Sequence, residues 1–315
     1  MSSVTNTSAQ CRWQRRLPCL ALLALLNSYC ADLLAQDIGE SPTGRLRSFL
    51  SYQFVSVDGY QATAGKVDIG DIDIHSIDVQ IEYDLGERWT LVGGLPWIRK
   101  RYTGPLPHDP LAIIPPRTES EFLDDGEYHS SFVDLRVGAR YLAKSAPAYT
   151  ISPFVFLDVP SNDYTFFANA AIGQRLNRLE VGTQVSFQPH FNNFYFQWAT
   201  SRVFVEETLG VNIDHWKFDT TIGYFFKPKL SGRLFVLVKE GNGLSFPDDF
   251  PVPRNTEWWF QHDRMIKHNY ANAGLGVDWQ LDSGNVVSLS VMKMVHADQV
   301  HTIDHSMTLG FSRSY

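Results

Sequence analysis

Asp78 and Glu82 stand four residues apart in a run of alternating apolar and polar residues, and Asp134, Arg136 and Arg140 keep the same even spacing in a second run. In an extended chain, residues an even number apart share one face. Acids and bases facing each other across a pore set its selectivity through the local field. The same residues, tied into salt bridges, would instead plug a narrow barrel. The residues alone leave both readings open.

Other constellations carry less. His296, His301 and His305 invite a metal, but His301 and His305 on a strand lie about 13 Å apart at roughly 3.3 Å per residue, too far to share an ion. A Ser-His-Asp hydrolase needs no adjacency in sequence, yet no G-x-S-x-G nucleophile elbow occurs. Glu119, Glu121, Asp124, Asp125 and Glu127 lack the spacing of a calcium loop and read as a solvated acidic loop. Trp258, Trp259 and Phe260 form an aromatic loop segment that either receives an apolar ligand or packs the loop against a rim. No cofactor-binding or metal-ligating motif emerges.

The elements that must position these residues are clearest at the C-terminal end. Ile303, His305, Met307, Leu309, Phe311, Arg313 and Tyr315 make one face of the last run, and small or polar residues from Thr302 to Ser314 make the other. Val287, Leu289, Val291 and Val295 share a face in the run before it, with Lys293 intruding. Ala271, Ala273, Leu275, Val277, Trp279 and Leu281 do so in the run before that. Asp282-Ser283-Gly284-Asn285 between them is a tight-turn signal. A period of two means a strand with different surroundings on its two sides.

Such strands suit a soluble barrel, whose apolar face is the core, or a membrane barrel, whose apolar face meets lipid. The runs exceed the about 5–6 residues of a soluble strand and reach the roughly 9–11 of a tilted membrane strand. Their polar faces carry Ser, Thr, Gly, Asn and Gln, as a crowded lumen requires. Tyr83, Trp89, Tyr141, Tyr149, Trp279 and Tyr315 gather beside the short turns, as an interfacial girdle would.

Residues 1–35 read as a cleavable export signal: Arg12, Arg15 and Arg16 precede an apolar core from Leu17 to Leu26, too short for the roughly 20 residues of a spanning helix. All three cysteines (Cys11, Cys19, Cys30) lie there, so a mature chain of residues 36–315 has no disulfide framework. Cleavage leaves 24 basic against 33 acidic residues, a net of −9, with no basic run, which argues against nucleic acid.

In chain order, strands are expected over 45–57, 75–85, 89–101, 133–141, 149–158, 179–188, 194–205, 216–226 and 232–239, followed by the closing three. The total is twelve. Short turns such as 86–87 and 282–285 alternate with mostly longer loops such as 103–126 and 241–267, the asymmetry of an outer-membrane barrel.

The pattern resembles the phenol meta-pathway degradation family of outer-membrane proteins, itself similar to the long-chain fatty-acid transporter barrels. The carrying residues are Tyr83-Asp84-Leu85-Gly86-Glu87-Arg88-Trp89 with Gly94-Leu95-Pro96, Asp134 to Tyr141, Asp158-Val159-Pro160-Ser161 and Leu309-Gly310-Phe311-Ser312. The chain departs from the family in ending on Tyr315 rather than Phe and in carrying Arg313 where an outward apolar residue is expected. The resemblance implies an outer-membrane location and a channel for small, often aromatic, compounds.

The expectation is an all-β protein: a transmembrane antiparallel up-and-down barrel of about twelve strands behind a signal peptide. Its expected role is passage or uptake of small compounds rather than enzymatic chemistry, with aromatic or hydrophobic ones implied by the resemblance. The alternatives are a barrel enzyme acting on lipids and a structural barrel with an occluded lumen. Expected partners are outer-membrane lipid, small solutes and the barrel-assembly machinery, engaged through the C-terminal strand.

Overall fold

In the computed structural model, which describes residues 44–117, 121–189, 192–253, 255–282 and 284–315, the alternating runs become strands. The export-signal segment and Glu119 lie outside the described residues. Twelve long strands close a barrel: β1 (Leu46–Ala62), β2 (Asp71–Leu85), β3 (Trp89–Thr103), β4 (Asp134–Tyr141), β5 (Tyr149–Pro160), β6 (Arg178–Phe187), β7 (Phe194–Val205), β8 (His215–Lys227), β9 (Leu230–Gly241), β10 (Asn269–Gln280), β11 (Asn285–Asp298) and β12 (Val300–Ser314). Each pairs antiparallel with the next, and β12 returns to β1 from Arg47↔Ser314 to Gln61↔Val300. Closure leaves no free sheet edge, so the strands satisfy one another's backbone groups. Three short strands, Gly65–Val67, His129–Phe132 and Lys144–Ala146, extend the hairpins at the rims.

Outward positions are apolar around the ring, for example Leu50, Val79, Leu91, Val137, Val155, Val181, Trp198, Ile222, Leu234, Leu275, Val291 and Leu309. Tyr83, Trp89, Trp279 and Tyr315 project at the short-turn end, where Trp89 meets Tyr141 with ring centroids 4.8 Å apart. Arg313 lies there too, its guanidinium 4.8 Å from the Tyr315 ring.

Ile303 corrects the sequence reading. The alternation puts it outside with Met307 and Leu309, but the structure buries it inside against Val55 and Val57. A β-bulge is the reason. Ser56 pairs with His305 while Val57 pairs with Ile303, so Asp304 is unmatched and the facing inverts above it. The bulged Asp304 in turn sits 3.4 Å from Lys293, the intruder on the neighbouring strand.

The β11–β12 connection is short for its rim, because Gln299 is its one linking residue. Gln299 is fully buried; its Oε1 accepts from Phe246 N (2.6 Å) and Tyr60 Oη (3.1 Å), and its Nε2 donates to Thr63 Oγ1 (2.8 Å). A buried amide that accepts two hydrogen bonds and donates one can hold such a tight hairpin.

Inside, glycine makes room for one large ring. Gly223 faces Tyr195 across β7 and β8, and a Cβ there would strike the phenol. Gly223→Val is therefore expected to lower stability by about 1–3 kcal/mol, the usual cost of overpacking, read as earlier loss of the folded band on a heat-modifiability gel.

Candidate functional site

All five lumen candidates lie on the inner wall, Asp78 and Glu82 on β2 and Asp134, Arg136 and Arg140 on β4, with β3 between them. Four of them belong to three ion-pair groups at different heights. Near the short turns, Arg47 contacts Glu82 (2.9 Å) and Asp84 (3.0 Å), Arg140 reaches Glu82 (3.0 Å), and Thr90 donates to Asp84 (2.7 Å). Midway, Arg136 makes a two-pronged contact with Asp158 (2.6 and 2.7 Å) and a third with Glu180 (3.0 Å). Glu180 also takes Lys217 on both oxygens (3.0 and 3.1 Å) and the Ser201 hydroxyl (2.7 Å). Higher up, Asp134 accepts from Arg178 (2.8 Å) and Tyr164 (2.5 Å).

Forked arginine–carboxylate contacts in a poorly hydrated interior are strong and directional. The arrangement therefore fixes a rigid charged lining. Asp78 makes no ion pair among the described residues, yet it shares the cavity with Arg136. Sequence reasoning missed Arg47, Asp84, Asp158, Arg178, Glu180 and Lys217. Each stands at an inward position of its strand, and a charge on the small-residue face is the signal that marks it.

Above this lining the lumen holds folded loop. Residues 161–177, between the strands expected over 149–158 and 179–188, turn inward: Tyr164, Ala168, Ala170 and Ala171 pack on Val55, Ile72, Ile74 and Ile98 of the wall. Lys100 Nζ donates to the Ala171 carbonyl at 2.8 Å. The run Phe166-Phe167-Ala168-Asn169-Ala170-Ala171-Ile172-Gly173 is apolar or small apart from Asn169, and that character is the clue to its burial.

Asp124 joins this loop to the one before it. The carboxylate is buried, which corrects the solvated-loop reading at this position. It accepts from His108 N (2.8 Å) and Nδ1 (3.2 Å), from Asn169 N (3.1 Å) and Nδ2 (3.0 Å), and from Ala170 N (2.8 Å). Burial alone would raise its pKa, but these donors outweigh burial and hold the carboxyl below the usual carboxylate range.

The loop 242–268 completes the cap. Phe260, in a single helical turn (Glu257–Phe260), packs with Ile113, Phe166 and Phe167. Trp258 packs against Phe250, Met265 and Ile266. Trp259 stacks on His262 with ring centroids 4.2 Å apart, and His262 stacks on His108 at 5.2 Å. The three aromatic candidates thus hold the loops together.

The cap contains a pH-sensitive contact. Burial holds His262 below the ordinary imidazole value, with Asp263 opposing and His108 adding to the shift. Burial, together with Lys239 and His262 and against Asp263, pushes His268 down to about 4. Released into water, both rings would return to about 6.5 and bind more protons than when seated. Seating is then fully present above about pH 6.5 and weakens as pH falls through that value toward 4. Amide exchange in 242–268 is expected to quicken between about pH 7.5 and about pH 5 after correction for intrinsic rates; unchanged protection would contradict it.

Between cap and lining lies a cavity of about 270 Å³. One wall is apolar, with Val57, Ile72, Ile74, Ile98 and Ile303; elsewhere Asp78, Arg136, Glu180, Lys217 and Lys239 reach it.

No family model matches the chain, and no curated protein does. Among solved structures, it is similar to an outer-membrane channel from Pseudomonas putida F1, with a TM-score of 0.65 and 13% identity over 89% of this chain and 98% of that one. This likeness establishes the fold. The translocator domain of the autotransporter NalP from Neisseria meningitidis matches at a TM-score of 0.47 and 11% identity over 88% of this chain and 90% of that one. The CymD monoaromatic hydrocarbon channel matches at 0.45 and 11% over 87% and 89%.

Proposed function

We propose that the chain is an outer-membrane channel that admits small solutes through a lumen gated by its loop cap. The observation that carries this reading is the inversion of the barrel, with an apolar band outside and charged side chains inside. Each outward Leu, Val or Ile gains about 1.5–3 kcal/mol on leaving water, so the band as a whole favours lipid. The short turns and both ends of the barrel then face the periplasm, and the cap faces outward. The resemblance to the phenol meta-pathway degradation family and the apolar wall of the cavity both support small, apolar-bodied cargo. Assembly through the C-terminal strand ending at Tyr315 belongs to the same reading.

One observation favours an occluded structural barrel instead, namely the depth to which residues 161–177 fill the upper lumen. Liposome swelling separates the two. Vesicles carrying folded protein are expected to swell in small neutral solutes, with rates that fall steeply as solute size rises. Vesicles that stay closed to every solute would support the occluded barrel.

A further inference from the structure

The basic side chains on the cavity wall are not equally matched. Arg136, Arg178 and Lys217 each contact a carboxylate, and Lys100 donates to a carbonyl. Lys239 is only 6% exposed and borders the cavity, yet among the described residues its ammonium makes no hydrogen bond and no ion pair. It stands directly opposite Lys217 across β8 and β9. The charged groups that bear on it most are Arg178 and Lys217, both cations. Like charges directly opposed on a sheet are destabilising, and a buried unpaired cation is costly. Among the cavity's lysines and arginines, Lys239 alone leaves a place for negative charge among the described residues.

The rest of the cavity defines what brings that charge. Val55, Val57, Ile72, Ile74, Ile98 and Ile303 give it a continuous apolar side, which rejects a strongly hydrated ion and accepts a hydrocarbon or aromatic body. The ammonium is a single compact charge, suited to a monoanion; a phosphate would call for a fork or several donors. At about 270 Å³ the space is small for a ligand pocket. We infer that the cavity is a subsite for a small organic carboxylate, its carboxyl on Lys239 and its apolar body against the β1–β3 wall. This deepens the channel reading by naming a solute class.

The test is calorimetric titration of the full mature chain in detergent with sodium benzoate, benzyl alcohol and sodium acetate. Benzoate is expected to bind saturably, and benzyl alcohol (no charge) and acetate (no apolar body) at least about tenfold more weakly. Lys239→Met should fold at least as well, since it removes an uncompensated buried charge, and should weaken benzoate at least about tenfold. Lys239→Arg should retain benzoate, and Lys229→Met, on an exposed turn, should change nothing. Absence of saturable benzoate binding, equal binding of benzyl alcohol, or unchanged benzoate affinity in folded Lys239→Met would overturn the inference. Binding in detergent is independent of passage. Swelling without benzoate binding would sink the subsite alone, and benzoate binding with sealed vesicles would sink the channel alone.

Discussion

Asp124→Ala is expected to convert the capped barrel into a wider pore without unfolding it. The carboxylate accepts five hydrogen bonds from His108, Asn169 and Ala170, uniting two loops that are far apart in sequence. Hydrogen bonds to a charged group contribute about 1.5–3 kcal/mol each. They are not additive, and the released donors regain water, so about 3 kcal/mol for the set is a sober figure. At 1.4 kcal/mol per tenfold, the unseated population would rise by up to about a hundredfold. The barrel ladder does not involve Asp124, so the folded band on a gel should persist. Swelling should then extend to solutes too large for the unaltered protein. Asp124→Asn, which keeps an acceptor and loses the charge, should fall between the two. A folded Asp124→Ala protein with the original size limit would show that Asp124 does not hold the cap.

Glu180→Ala should produce the largest loss of stability. Glu180 is almost fully buried and binds Arg136, Lys217 and Ser201 together. Arg136 keeps Asp158, but Lys217 loses the carboxylate it contacts on both oxygens while still facing Lys239. Removing one partner of a buried pair costs about 3–5 kcal/mol, because the other charge stays behind. The expected readout is an earlier thermal transition in detergent, with a reversal potential shifted toward anions. In the double variant Glu180→Ala, Lys217→Met, the cation that Glu180 neutralised is gone too and much of the stability should return. Equal stability of the single and double variants would remove Lys217 from the explanation.

The strand count was legible because the two faces of each strand meet opposite surroundings, as Leu275, Val277 and Trp279 against Gly274, Gly276 and Asp278 show. The alternation of Phe194–Val205 is weak in the sequence because both of its faces carry rings: Phe194, Phe196 and Trp198 point outward and Tyr195 points in. In Tyr149–Pro160 the inward Phe156 hides the facing, and it does so for a reason, since it lies beneath the Arg136 guanidinium. The partners of the five lumen candidates were not legible. Arg136 and Glu180 are distant in sequence and meet only once β4, β5 and β6 are laid side by side. The bulge at Asp304 was hidden because Ile303 suits a greasy inside as well as a greasy outside. The cap is hard to see in the sequence because Ser161-Asn162-Asp163 opens residues 161–177 as a polar loop would, ahead of the apolar run from Phe166.

All of this requires that hydrocarbon chains, and not another protein surface, touch the outer band. Tryptophan quenching by lipids brominated along the acyl chain tests that contact directly. Trp198 projects outward from β7, whereas Trp259 stacks within the cap. With Trp198 retained as the sole fluorophore, strong quenching in brominated vesicles is expected; with Trp259 retained alone, little. Equal and weak quenching of both, in protein shown to be folded and vesicle-associated, would contradict a membrane-spanning barrel.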